Sequence, residues 1–272
     1  MTRQFLFLAV LLALLCSQSS AQTTITERPE WKRFYDKADV HGCFVLYHLN
    51  TDSMWIYNRA RSDSGFLPAS TFKIPNSLIA LETGVLKDEH DTLPWDGVKR
   101  QVPTWNADQD MRRAIKFSTV WFYQEIARRV GAERMQRFVD SMHYGNTDIS
   151  GGIDLFWLEG GLLITPRQEI DFLVRFYKND LPFSQRSLDI VKDIMILEKS
   201  DEYILRGKTG WAGRVSAMVG WWVGYLERGS DIYFFANNIA IVEDEDAEAR
   251  RSVALDILRY VGLLPATPDS TR

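Results

Sequence analysis

Two cysteines and four histidines are all that this chain offers as soft metal ligands, and that scarcity removes function classes at once. His41, His48, His90 and His143 form no His-Glu-x-x-His and no pair at i, i+2 or i, i+4, so a zinc hydrolase has no ligand set to build on. No serine stands in a Gly-x-Ser-x-Gly setting, which argues against a Ser-His-Asp hydrolase. An excess of positive charge is also missing. The 32 Lys and Arg against 36 Asp and Glu give a net charge of −4, with no basic footprint for a nucleic-acid partner. Internal repeats and low-complexity tracts are absent, and the acidic run Glu243 to Asp246 reads as a solvated loop. At 46% apolar and 25% charged over 272 residues, the composition is that of a globular protein.

The one long apolar run is short for a membrane. It covers Phe5 to Cys16 after Arg3, and as a helix its twelve residues reach about 18 Å, well below the roughly 30 Å of a hydrocarbon core. Polar Ser17 to Ser20 follow, with Ser19 and Ala21 as the small residues of a cleavage site, so residues 1–21 read as a secretory signal cut after Ala21. Leu15 stands before Cys16 where lipid attachment calls for a small residue. The expected mature chain begins at Gln22, is periplasmic and has no membrane association. Cys43 is then its single thiol, which rules out an intramolecular disulfide and predicts a small buried hydrophobe.

Trp31, Phe34, Tyr35 and Ala38 fall at helical spacing, and Cys43–Leu49 and Met54–Tyr57 predict a hairpin about the turn Asn50-Thr51-Asp52-Ser53. From Thr71 to about Lys199 the apolar period is helical, as in Ile74, Leu78, Leu81 and Val85, or Ile170, Leu173, Val174 and Tyr177. Thr165-Pro166-Arg167-Gln168 marks one helix start as a capping box with Pro at the first position. Strands return at Tyr203–Leu205, Lys208–Trp211, Met218–Leu226 and Ile232–Ile239, before a last helix through Ala249, Val253, Ile257 and Leu258. Neither strand group is large enough alone, so the fold class is α+β: one antiparallel sheet flanked by the N- and C-terminal helices, with an inserted all-helical lobe. The expected division is an α/β lobe of 22–66 plus 200–265, a helical lobe of 67–199 and a flexible tail of 266–272, with the active site between the lobes.

Four short patterns carry chemistry. Ser70-Thr71-Phe72-Lys73 puts a hydroxyl at the start of an apolar-periodic segment with a lysine one turn on, facing the same side. That lysine can serve as base if apolar surroundings, here Phe66, Phe72, Ile74 and Pro75, lower its amine pKa. Lys208-Thr209-Gly210 lies on a strand, where Gly permits close backbone approach. Ser118-Thr119-Val120 opens a helix, and Tyr144-Gly145-Asn146 forms a turn. Each alone also reads as a cap, an edge residue or a tight loop.

Their conjunction in this order resembles the penicillin-recognising serine enzymes, and specifically the class D β-lactamases, or oxacillinases. The likeness runs from about Trp31 to Leu264 and includes Phe156-Trp157-Leu158-Glu159-Gly160, Trp221-Trp222-Val223-Gly224 and Arg250. It implies a β-lactam as substrate, Ser70 as the acylated nucleophile and Lys73 as a general base made by reaction with CO₂ or bicarbonate to N6-carboxylysine. It implies no other cofactor and no metal. Phe72, Val120, Trp157 and Leu158 would form the apolar shell of that group, with the Trp157 indole N–H donating to it. Ser118 would relay a proton to the leaving nitrogen, and the Ser70 and Trp211 backbone N–H groups would form the oxyanion hole. Lys208, Thr209 and Arg250 would hold the substrate carboxylate, with Tyr144 and Gly210 also at the substrate site. Arg251 is about 100° round the helix and is expected in solvent.

Two relatives by chemistry remain open as readings: a peptidoglycan transpeptidase or carboxypeptidase, and a β-lactam sensor that stays acylated. Val120, where transpeptidases usually carry Asn, and Trp157 favour a hydrolase. The nine residues Trp211 to Val219 form a short connection with Arg214 at its middle, which resembles the carbapenem-hydrolysing branch, and Arg214 could pair with Glu159. The chain is expected to be a monomer or a homodimer.

Overall fold

The computed structural model describes residues 23–213 and 218–266. The expected signal (1–21), Gln22, Arg214 and the tail from 267 onward lie outside the described residues. The elements in chain order are β1 (Thr24–Glu27), α1 (Lys32–Lys37), β2 (Gly42–His48), β3 (Ser53–Tyr57), α2 (Arg59–Ser62), a 3-10 turn (Ala69–Phe72) and α3 (Lys73–Glu82). Then come α4 (Met111–Lys116), α5 (Val120–Val130), α6 (Ala132–Met142), α7 (Pro166–Tyr177), α8 (Gln185–Ile194) and β4 (Ile196–Lys199). The chain closes with β5 (Ile204–Ala212), β6 (Val219–Arg228), β7 (Asp231–Ala240) and α9 (Ala249–Tyr260).

The early and late strands join one seven-stranded sheet in the order β1-β3-β2-β7-β6-β5-β4, as the patterning predicted. Its antiparallel character fails at one edge, where β1 runs parallel to β3 with Thr24 opposite Ser53. That strand alternates weakly and is mostly exposed, so it leaves little apolar signal. β4 was expected inside the helical stretch, but it extends the sheet at the other edge, with a bulge between Ile196 and Glu198.

The central strands bury both faces, which is why they read as nearly continuous apolar runs. On β6, Trp221, Val223 and Tyr225 point to the helical side, while Trp222 and Leu226 face α1 and α9. Cys43 is fully buried, and burial pushes its thiol up to about 12. The capping box forms as expected: Thr165 accepts from the Gln168 N–H, and the Gln168 side chain accepts from the Thr165 N–H. The helix it starts, α7, lies on the sheet, with the Tyr177 ring 5.7 Å from Phe234 and 5.5 Å from Tyr225. One apolar core therefore runs from the sheet into the helices.

Candidate active site

Ser70 sits on the 3-10 turn that leads into α3, and not on the α-helix itself. Ala69 just before it has φ 49°, a left-handed conformation that costs an alanine about 1–2 kcal/mol. The surroundings hold that strain on all sides. Ala69 N–H donates to Trp157 O (2.9 Å), Thr71 N–H to Pro68 O (3.1 Å), and the Trp221 indole to Leu67 O (2.9 Å). Gly210 of β5 presses on the same turn, where a Cβ would lie 2.9 Å from Pro68 O. The glycine of Lys208-Thr209-Gly210 is thus required by contact with the nucleophile turn.

Lys73 Nζ donates to Ser70 Oγ at 2.7 Å, and the lysine is 1% exposed. Burial, and then the charge of Lys208, drive its pKa well below the lysine range. A neutral amine is the form that can take a proton from a hydroxyl. Its Nζ lies 5.2 Å from the centroid of the Tyr123 ring. Phe72 stacks on Trp157 at 5.6 Å and 24°. The Trp157 indole N–H is fully buried and meets no acceptor among the described residues, and neither does Asn76 Oδ1 meet a donor. Asn76 donates to Tyr123 O at 3.3 Å.

Lys208 comes from β5 and donates to Ser118 Oγ at 3.0 Å and Thr209 O at 2.9 Å. Ser118 precedes the cap of α5 in a left-handed conformation, φ 57°, which turns it out of the helix. Burial and the nearby Arg250 and Arg251 lower the Lys208 pKa to about 7. Arg250 Nε and Nη1 are buried and have no hydrogen-bond partner among the described residues, while its Cζ stands 5.9 Å from the Trp211 ring centroid. Its backbone is fixed by Asn237, which donates to Arg250 O (2.8 Å) and accepts from Tyr35 Oη (2.6 Å).

Two cavities lie along β5. One, about 630 Å³, is walled by Trp105, Val120, Trp121, Leu158 and Trp211. The other, about 500 Å³, meets Lys208, Thr209, Trp222 and Arg251. Of the expected residues, Val120, Leu158 and Trp211 line the first cavity and Lys208 and Thr209 the second, while hydrogen bonds join Ser70 to Lys73 and Ser118 to Lys208.

One expectation is corrected. Tyr144 is fully buried and its hydroxyl bonds Glu169 (3.0 Å), so it backs the nucleophile turn and reaches no substrate. Its neighbour Gly145 has φ 58°, and a Cβ there would meet Leu163 O at 2.1 Å, so Tyr144-Gly145-Asn146 is a packing turn. Arg251 is exposed, as expected, and its guanidinium lies 5.7 Å from the Trp222 ring centroid, where its charge acts on Lys208. Asn76, Tyr123, Glu169 and Asn237 were not anticipated. Only Thr71, inside the Ser-x-x-Lys, could have signalled that the turn has a polar partner behind it.

Residues 35–259 match the penicillin binding protein transpeptidase domain. The chain is 41% identical over 239 residues to beta-lactamase OXA-48 of Klebsiella pneumoniae, covering 88% of this chain and 90% of that one. It is 39% identical over 261 residues to OXA-10 of Pseudomonas aeruginosa, covering 95% and 98%. Among solved structures, the class D β-lactamase YbXI from Nostoc superposes with a TM-score of 0.85 at 50% identity, covering 87% of this chain and 100% of that one. The fold is that of the penicillin-binding transpeptidase domain. Within it, the chain belongs to the class D β-lactamases.

Proposed function

We propose that the chain is exported by residues 1–21 and works in the periplasm as a hydrolase of penicillins, including oxacillin-type ones, through an acyl-enzyme on Ser70. The observation that carries this is the pairing of Ser70 Oγ with a buried Lys73 amine at 2.7 Å, with no carboxylate bonded to that amine among the described residues. Lys73 suits carboxylation by CO₂, since only a neutral amine reacts and the orphaned Trp157 N–H supplies a donor for the oxygens that would be added. Carboxylated, the side chain would supply a base for both acylation and deacylation.

The chain's own residues do the rest. Lys208, Thr209 and Arg250 hold the substrate carboxylate, which sets the β-lactam carbonyl along β5 over Ser70. Ser70 and Trp211 N–H groups receive the oxyanion, a pair in which each donor contributes about 3 kcal/mol. Ser118, hydrogen-bonded to Lys208, passes a proton to the departing nitrogen. The apolar wall of Val120, Trp157 and Leu158 keeps the Lys73 end dry. The same acylation could end in a transpeptidase or a sensor, and turnover is what separates them.

We extend the proposal to carbapenems. The strands close in on the connection from both ends, leaving only 213–218 between β5 and β6. Arg214, the basic residue of that loop, and its pairing with Glu159 lie outside the described residues. Steady-state hydrolysis of benzylpenicillin, oxacillin and imipenem tests both parts. Multiple turnovers of the penicillins are expected. A stoichiometric burst without turnover would favour the sensor or transpeptidase reading, and a stable imipenem adduct alone would remove the carbapenem extension.

A further inference from the structure

Behind the nucleophile turn lies an acid that the proposed chemistry does not use. Glu169, on the first turn of α7, is fully buried. Its Oε1 is 2.7 Å from Thr71 Oγ1 and 3.0 Å from Tyr144 Oη, and its Oε2 has no partner among the described residues. The charged groups around it are committed elsewhere. On its own helix, Arg167 pairs with Asp63 (3.0 Å) and Arg175 donates to Met142 O (2.5 Å). Asp171 is half-buried, and Arg167 and Arg175 are the charges that act on it. From the nucleophile turn, Lys73 points to Ser70 (2.7 Å), and His143, next to Tyr144, is exposed.

The hydrogens decide the protonation state. Thr71 Oγ1 also lies 2.9 Å from Pro68 O, a carbonyl that can only accept. Thr71 has one hydroxyl hydrogen. If that hydrogen goes to Pro68 O, the 2.7 Å contact with Glu169 Oε1 needs a second hydrogen, and the acid must bring it. A protonated Glu169 donates to Thr71, accepts from Tyr144 and leaves only a neutral carbonyl oxygen unpaired. An ionised one must draw the Thr71 hydrogen away from Pro68 O. Pro68 O is the atom against which Gly210 of β5 rests, one residue from the strained Ala69.

We infer that Glu169 is a positioning residue: as an uncharged acid it locks, through Thr71, the turn that presents Ser70, and on ionisation it loosens that turn. Burial of the carboxyl, with nothing cationic to offset it, agrees by lifting its pKa to about 7. The inference rests on Ser70 being the nucleophile.

Glu169→Gln is the test, because an amide of the same shape is neutral at every pH and keeps a bond to both hydroxyls. Acylation by a fluorescent penicillin and thermal unfolding are each followed from pH 5 to 9.5 for wild type and variant. Relative to the variant, wild-type acylation is expected to fall about fivefold around pH 7, the loss of roughly one hydrogen bond. Its Tm should fall by about 5 °C relative to the variant between pH 5 and 7 and then level off, since the unfolded carboxyl ionises first. Parallel pH profiles would overturn the inference, as would a Gln variant that does not fold. A wild type that acylates at no pH would contradict the proposed hydrolysis, and the unfolding arm would still decide the state of Glu169.

Discussion

Lys73 and Lys208 are both buried, yet different neighbours tune them for different work. Around Lys73 the walls are aromatic and aliphatic, and burial followed by the charge of Lys208 drives the amine's pKa well below the lysine range next to Ser70 Oγ. Replacing Trp157 by Phe keeps the stack on Phe72 but removes the unpaired N–H. Acylation should persist, and mass spectrometry of penicillin-treated protein should find a long-lived adduct absent from wild type. Burial, and then the charges of Arg250 and Arg251, lower the Lys208 pKa to about 7. In the free enzyme it therefore loses its charge as pH rises through about 7, and affinity for the substrate carboxylate falls on the alkaline side. Arg251→Gln takes away one of the two repelling charges, so the alkaline limb of kcat/KM for benzylpenicillin should move to higher pH. A limb that stays in place would show that Arg251 does not act on Lys208. Arg250→Ala, by contrast, should raise KM about tenfold or more, since a charge-assisted hydrogen bond contributes about 1.5–3 kcal/mol.

At the scale of elements, the nucleophile turn is an object assembled by its neighbours. Trp157 O, Trp221, Gly210, Glu169 and Tyr144 come from five separate segments; the first four each touch one residue of the span Leu67 to Thr71, and Tyr144 bonds Glu169 behind it. Gly145 holds one of those segments in place. Gly145→Ala would force a Cβ into Leu163 O at a left-handed φ, and should cost about 2–4 kcal/mol of stability, read by thermal unfolding. These neighbours explain what the sequence could and could not reveal. Apolar spacing and the capping box located the hairpin, β5 to β7 and α7, because those signals are local. β1 and β4 escaped because they are four-residue edge strands with exposed side chains. The Ser70–Lys73 pair was legible because the two residues are one turn apart, and the structure joins them by a hydrogen bond. Tyr144 was misplaced and Glu169 missed because burial of a polar side chain depends on segments distant in the chain.

At the scale of the molecule, one sheet with helices on both faces brings β5 against the turn at the mouth of the helical half. That contact positions Lys208 over Ser118 and leaves the cleft open along the strand. Mature protein from a periplasmic fraction should begin at Gln22, and Cys43, buried with its thiol pushed up to about 12, should resist aqueous thiol reagents until the fold is denatured. The central claim is that Lys73 works as a CO₂-derived base in both chemical steps. Acid-treated, CO₂-depleted enzyme assayed against benzylpenicillin with and without added bicarbonate tests it most directly. Loss of about 100-fold or more in turnover without bicarbonate, the usual scale of a general base, and recovery on its addition are the predicted result. Equal rates in the two buffers would contradict it.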